Sequence, residues 1–380
     1  MTRWAALPAI AAAAVLGLFM TGGAGAAVRP ERPPAAPISA STTTPTGSSV
    51  LFAMGHFDSA ENTFWELFLR PAGSSSWVLQ TPPGVASNGG LVVAASPSGQ
   101  WTVGFLVSAL LKFSPLAQSA DEGAHWSPGE LPFPLTSAPD ALAVGSTDDV
   151  LALVSPGGRR VLQTSGDLGA WRTVTTTGAL AAAAPTCGVQ GVTAVAYNPA
   201  GQPLVGLRCA HGVGILSGSG ASTWHDIGPS LGNGATSVTR LVSTPDGVAG
   251  LAQVQSGTRA KVVGFWGNGS TAGWAGSASL TVPAGWSVKA TATGGGSGQG
   301  LAVLLGSGEQ RRVEVVAGPG ASWVALPPAP RGASAVSDIG TEVDTFVVAG
   351  SHLAVWASRG GSGWTRSASI TVPVPYGSSS

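Results

Sequence analysis

Seven tryptophans recur along this chain, each directly after a short turn rich in Gly and Ser: Trp77, Trp126, Trp171, Trp224, Trp274, Trp323 and Trp364. Their separations are 49, 45, 53, 50, 49 and 41 residues. A repeat of that length is a unit that cannot bury its apolar face alone, so it must stack on copies of itself. Each unit holds short β-rich runs divided by turn signals. In the unit ending at Trp224 the runs are 192–198, 203–209 and 213–217, with Pro199-Ala200-Gly201 between the first two. The next unit repeats the plan at 237–243, Pro245-Asp246-Gly247, 248–254 and 260–266. Pro presets φ and Gly accepts a positive φ, so both triplets are turns. No stretch beyond the N-terminus sustains a 3.6-residue period, so the chain reads as all-β.

Four strands in each ~47 residues make one propeller blade. The expectation is a seven-bladed β-propeller of four-stranded blades over residues 50–376, its ring closed by strand pairing between the two ends. Six or eight blades stay open, because the first unit lacks a clear innermost strand.

Residues 1–27 read as a signal peptide: Arg3, an apolar run from Trp4 to Met20, then Ala24-Gly25-Ala26 as an A-x-A cleavage pattern. An uncleaved anchor is the rival, although the run is barely long enough to span a bilayer. Residues 28–49, with Pro30, Pro33, Pro34, Pro37 and Pro45, read as a disordered linker, and 377–380 as a tail. No later segment suits membrane insertion. The expected location is therefore extracellular, as a secreted monomer.

Charge is sparse and balanced, with 18 basic and 18 acidic residues. No basic stripe exists, which argues against nucleic acid as a partner. Cys187 and Cys209 are the two cysteines, and behind a signal peptide an even pair reads as one disulfide.

The turn Ser119-Ala120-Asp121-Glu122-Gly123-Ala124-His125-Trp126 has the spacing S-x-D-x-G-x-x-W. An Asp there can accept from its own turn's N–H groups, Gly permits a left-handed residue, and Trp packs between sheets. The turn at Ser165, Asp167, Gly169 and Trp171 keeps the same residue types but is one residue shorter. The turns before Trp224, Trp323 and Trp364 are more worn. Together these turns resemble the Asp-box, or BNR repeat, of the sialidase-like propellers, and the resemblance covers nearly the whole mature chain. It implies that Asp121 and Asp167 are structural and lie away from any active site. Trp101, Trp266, Trp286 and Trp356 lie outside the box position, and each reads as core or as a platform for sugar stacking.

Sialidases of that family use an arginine triad, a Tyr–Glu nucleophile pair and an Asp, with the first arginine in an (F/Y)-R-I-P motif. The nearest string here is Phe68-Leu69-Arg70-Pro71, which lacks the Ile. Of the two tyrosines, Tyr197 ends an inner-strand run and Tyr376 lies near the terminus. Arg240 falls on an inner strand. Asp140, Asp148, Asp149, Asp246 and Asp338 are the acids a glycosidase could pair, but no pairing can be argued. His56, His125, His211, His225 and His352 show no metal spacing, and no cofactor motif exists. These readings point to a non-catalytic module that binds a glycan or an extracellular protein. A divergent exo-sialidase or other glycoside hydrolase, and a protein-binding assembly scaffold, are the alternatives.

Overall fold

The computed structural model describes residues 38–43, 49–54, 65–71, 74–82, 92–96, 98–104, 114–131, 139–145, 147, 149–154, 160–165, 168–219, 223–231, 234–270, 273–294, 300–338, 340, 342–349 and 352–371. The signal segment, residues 28–37, His56, Asp148, Asp167, Tyr376 and the tail lie outside them.

The described chain is a succession of antiparallel sheets. The first holds β1 (Ile38–Thr43), β2 (Ser49–Met54), β3 (Trp65–Arg70) and β4 (Val78–Leu79). The second holds β5 (Val92–Ala95), β6 (Trp101–Gly104), β7 (Ser114–Ser119) and β8 (Ser127–Leu131). The third holds β9 (Ala141–Val144), β10 (Asp149–Val154), β11 (Arg160–Ser165) and β12 (Arg172–Thr176). The fourth sheet has nine strands: β13 (Val189–Tyr197), β14 (Pro203–Cys209), β15 (Ile215–Gly218), β16 (Trp224–Asp226), β17 (Ala235–Thr244), β18 (Gly247–Ser256), β19 (Arg259–Gly267), β20 (Ala275–Gly276) and β21 (Leu280–Thr281). The fifth holds β22 (Ser287–Thr293), β23 (Leu301–Ser307), β24 (Gln310–Val316) and β25 (Val324–Ala325). The sixth holds β26 (Ala335–Asp338), β27 (Glu342–Ala349), β28 (His352–Arg359) and β29 (Thr365–Thr371). One short helix, α1 (Thr177–Ala183), interrupts the β pattern. Its Ala-rich run favours a helix, and the Thr176 hydroxyl caps it by accepting from the Ala179 N–H.

This is an all-β, propeller-like arrangement, but among the described residues the hydrogen-bonded sheets number six rather than the seven expected. The reason is local. β14 runs on past its own meander and pairs with β17 at Arg208↔Ser237 and Cys209↔Thr236, which fuses two successive four-strand runs. The Cys187–Cys209 disulfide sits at this junction, with an S–S distance of 1.97 Å.

The linker boundary also needs correction. β1 lies at Ile38–Thr43, inside the segment read as linker, and pairs with β2. Its β-branched residues Ile38, Thr42 and Thr43 suit a strand, and the neighbouring prolines masked that signal. It supplies the innermost strand that the first unit lacked. Closure by strand exchange is therefore absent among the described residues: the first and sixth sheets each draw their strands from one continuous stretch.

The first strands of the runs stand side by side: β1 by β5, β5 by β9, β9 by β13, β13 by β17, β22 by β26, and β26 by β1. Behind them the middle strands are sealed on both faces by neighbouring sheets. Leu301, Ala302, Val303, Leu304 and Leu305 of β23 are all 0 % exposed, so an unbroken apolar run is what this position demands.

Candidate functional site

The inner strands enclose an axial channel of about 440 Å³. Its described walls are 92–95 of β5, 140–144 at β9, 193–196 of β13, 239–243 of β17, 289–291 of β22, and 334–335 at β26. Among the described residues, most lining side chains are Ala, Val, Thr or Ser, and none is aromatic. Asp140, Arg240 and Lys289 are the charged ones.

Polar side chains reach the channel because the inner strands bulge at matching places. The register slips between Val192 and Ala194 in β13, between Val238 and Arg240 in β17, and between Val288 and Ala290 in β22. The extra residues are Thr193, Thr239 and Lys289. A bulge re-aims a side chain without ending the strand, which is why bulges gather at binding sites. Thr193 Oγ1 donates to the Val238 carbonyl at 2.6 Å, tying β13 to β17. The Thr239 hydroxyl donates back to the Leu251 carbonyl at 3.3 Å. The stem of Lys289 lies over Gly306, where a Cβ would fall 2.9 Å from Lys289 Cγ. Arg240 Nη1 donates to the Thr291 carbonyl at 3.0 Å, which bridges β17 to β22. Burial pushes the Arg240 guanidinium down to about 10.

The other enzyme candidates are scattered. Tyr197 is 2 % exposed inside an apolar cluster, and its hydroxyl accepts from Gln163 Nε2 at 3.2 Å. Burial, reinforced by the charge of Asp149, raises its phenol well above the usual value. Asp246 occupies the exposed β17–β18 turn, and Asp149 accepts from the Thr147 hydroxyl at 3.4 Å. Asp338 ends β26. Arg240 is the one arginine among the described lining residues. No grouping of His, Cys, Asp and Glu with metal-binding geometry occurs among the described residues.

The tryptophan turns do a different job. Each repeat tryptophan immediately precedes or opens the outermost strand of its run: β4, β8, β12, β16, β20, β25 and β29. Several reach onto the run before. Trp323 Nε1 donates to the Ala278 carbonyl and Trp364 Nε1 to the Pro327 carbonyl, both at 2.8 Å. Trp77 meets Phe346 of the sixth sheet edge-on at 5.7 Å, so this packing also bridges the chain's two ends. Trp224 joins the cluster of Leu151, Leu153 and Val161, and Trp171 packs against Ala94 and Leu116. Trp274 stands edge-on to Phe265 at 5.6 Å.

In the turn before Trp126, Ser119 Oγ donates to Asp121 Oδ1 at 2.9 Å and accepts from the Gly123 N–H at 2.8 Å. Asp121 Oδ1 also accepts from the His125 N–H at 2.9 Å. Glu122 and Gly123 take φ of 56° and 84°. The His125 N–H, followed by the His125 ring, holds the Asp121 carboxyl down to about 2. In the second turn Gly169 is exposed and Leu168 takes φ of 52°, with Trp171 Nε1 donating to the Leu168 carbonyl at 2.7 Å. None of these turn residues lines the channel. Nor do the four tryptophans weighed as sugar platforms: Trp101 and Trp266 are buried, while Trp286 packs against the β18–β23 cluster and Trp356 is half-buried in β28.

A cluster that sequence reading missed lies at the seam between the first and sixth sheets. Arg70 reaches Glu342 Oε1 and Asp344 Oδ2, each at 2.8 Å, and Arg359 Nε donates to Glu342 Oε2. Arg70, Glu342 and Asp344 are 4, 6 and 1 % exposed. Arg70 also lies 5.5 Å from the centre of the Trp77 ring.

No family model matches this sequence, and no curated protein matches it. Solved structures do. A protein from Lactobacillus plantarum superposes with a TM-score of 0.54 at 12 % identity, over 86 % of this chain and 96 % of its own. A candidate 6-phosphogluconolactonase from Bacteroides uniformis gives 0.52 at 12 % identity, over 86 % and 97 %. Another from Bacteroides fragilis gives 0.54 at 10 % identity, over 88 % and 98 %. At such identities the likeness is one of fold.

Proposed function

We propose that this chain is a secreted, non-catalytic β-propeller that holds a glycan in its axial channel. The nine-stranded sheet is read as two adjoining blades, which makes seven, and the turns before Trp126 and Trp171 are read as structural Asp-boxes. The observation that carries the reading is the channel itself. It is large enough for a small saccharide. Its described walls set five hydroxyl side chains and three charged ones among Ala, Val and Leu, a mixture that suits the polar edges of a sugar. Glycoside hydrolysis by paired carboxylates needs two acids flanking one bond, and Asp140 is the one acid among the described lining residues. A sialidase-type tyrosine fares no better, since Tyr197 is core. The disulfide agrees with an oxidising compartment, and no helix among the described residues is long and apolar enough to cross a membrane.

Two assays on the chain from residue 28 test the reading. Binding to a glycan array is expected, together with no turnover of a fluorogenic glycoside panel. Turnover abolished by Arg240→Ala would make this a hydrolase. An array with no positive spot, alongside retention of one extracellular protein, would favour the scaffold alternative.

A further inference from the structure

The places where this chain departs from its own repeat gather at one junction, and that junction is hollow. The one helix among the described residues, α1, is inserted between β12 and β13. The disulfide joins the segment after α1 to the end of β14, where the extra pairing with β17 begins. These features border a cavity of about 650 Å³ that shares no lining residue with the channel. Its walls are 186–187, 211–213, 226 and 228–231. The loops that meet there are pinned to one another. The His211 N–H donates to the Cys187 carbonyl at 3.0 Å, and the Ala210 N–H to the Gly188 carbonyl at 3.1 Å. The Gly212 N–H donates to the Gly234 carbonyl at 3.0 Å. Stacking of repeats asks for none of these additions, whereas loops pinned on a rigid frame are where binding sites are built.

The lining selects the ligand's charge. Asp226 and His211 are its titratable residues, and no Arg or Lys stands among the described ones. Asp226 Oδ1 accepts from the Gly228 N–H at 3.0 Å, which orients the carboxylate. The ion pairs of the described residues all lie elsewhere, so Asp226 has no counter-charge among them. Val213, Pro229 and Leu231 add half-buried hydrocarbon. An anion would be repelled by Asp226. A hydrated metal ion would gain nothing from the hydrocarbon, and an uncharged ligand would leave the carboxylate uncompensated. We propose that this cavity binds an organic ammonium group, with the cation at Asp226 and its carbon skeleton against Val213, Pro229 and Leu231. An ammonium has three protons to donate, and the hydroxyls of Thr186 and Ser230 in the same walls are acceptors for those that Asp226 does not take. The proposal does not depend on what the channel holds.

The test is titration calorimetry of the full mature chain at neutral pH with glucosamine, putrescine and N-acetylglucosamine. At least one of the two amines is expected to bind with a Kd near ~1 mM, weakening as salt is raised from about 20 to 300 mM. N-acetylglucosamine keeps the sugar ring without the charge, and should bind at least about tenfold more weakly. Which amine binds separates an amino-sugar source from an alkylamine source. Asp226→Asn keeps an acceptor for the Gly228 N–H, so the turn survives, and it should lower amine affinity about tenfold. An unchanged affinity in that variant would overturn the proposal, as would N-acetylglucosamine binding as tightly as the amines. No heat from either amine up to about 50 mM would overturn it too. Each of these outcomes leaves the glycan reading of the channel standing.

Discussion

At the scale of single residues, the Arg70 cluster sets the most informative experiment. Asp344 is almost fully buried beside a second carboxylate, and burial pushes it up to about 7 despite the Arg70 guanidinium. A carboxyl that holds its proton more tightly when folded adds stability below its unfolded value near ~3.9 and loses it as pH rises through about 7. Glu342 runs the other way. Burial raises it, but the bonds from Arg70 and Arg359 together outweigh burial and lower it, so its contribution holds above the ordinary carboxylate range and fades on acidification. Asp344→Asn removes the first effect and keeps the shape. Its unfolding free energy relative to the parent, read by urea denaturation, should therefore rise from pH 5 to pH 8 by an increment on the order of 2 kcal/mol. A flat difference across that range would mean that Asp344 titrates normally. Arg70→Ala should be far worse, costing about 3–5 kcal/mol in urea unfolding at pH 8, because both carboxylates lose their buried counter-charge.

At the scale of strands, packing against neighbouring strands decides which residues are tolerated. Gly250 in β18 faces Phe265, and a Cβ there would fall 2.2 Å from Phe265 Cζ and 2.9 Å from the Arg240 carbonyl oxygen. Gly250→Ala should therefore cost about 1–3 kcal/mol, read as a shift in denaturation midpoint. Trp364→Phe keeps the ring but loses the bond to the Pro327 carbonyl, for roughly 1 kcal/mol in the same assay. The β-rich runs and the Pro/Gly turns made these strands legible from sequence: the run at 203–209 coincides with β14, and 248–254 lies within β18. β1 was illegible because its six residues sit among prolines and owe their strand to pairing with β2. The β14–β17 link was illegible too, since a pairing between runs leaves no local pattern. The channel residues fared similarly. Arg240 stood out as a charge on an inner run, but Thr193, Thr239 and Lys289 matter through bulges, and no sequence period announces a bulge.

At the scale of the molecule, each sheet leans on its neighbour, so stability is expected to be cooperative around the ring. Removing the disulfide by Cys187→Ser with Cys209→Ser should lower unfolding free energy by roughly 3 kcal/mol, since the bond closes a short loop of 22 residues. The revised start of the fold has a direct test. A chain beginning at residue 36 should melt like the mature protein. One beginning at residue 49 loses β1, which pairs with β2 and stands between β5 and β26, and should melt at a lower temperature. Equal melting of the two would restore the linker boundary near residue 49.

The seam holds a last consequence. The first and sixth sheets meet through Trp77 on Phe346 and Arg70 on two carboxylates, and they share no strand. The backbone is thus a strip bent round and fastened by side chains. At its other junctions the chain itself continues from an outermost strand to the next innermost one, as from β4 to β5. A link of that kind from β29 to β1 would make the seam like the other junctions. The chain could then be cut between two other sheets, and a circularly permuted protein should fold to the same ring with Trp77 and Arg70 in place.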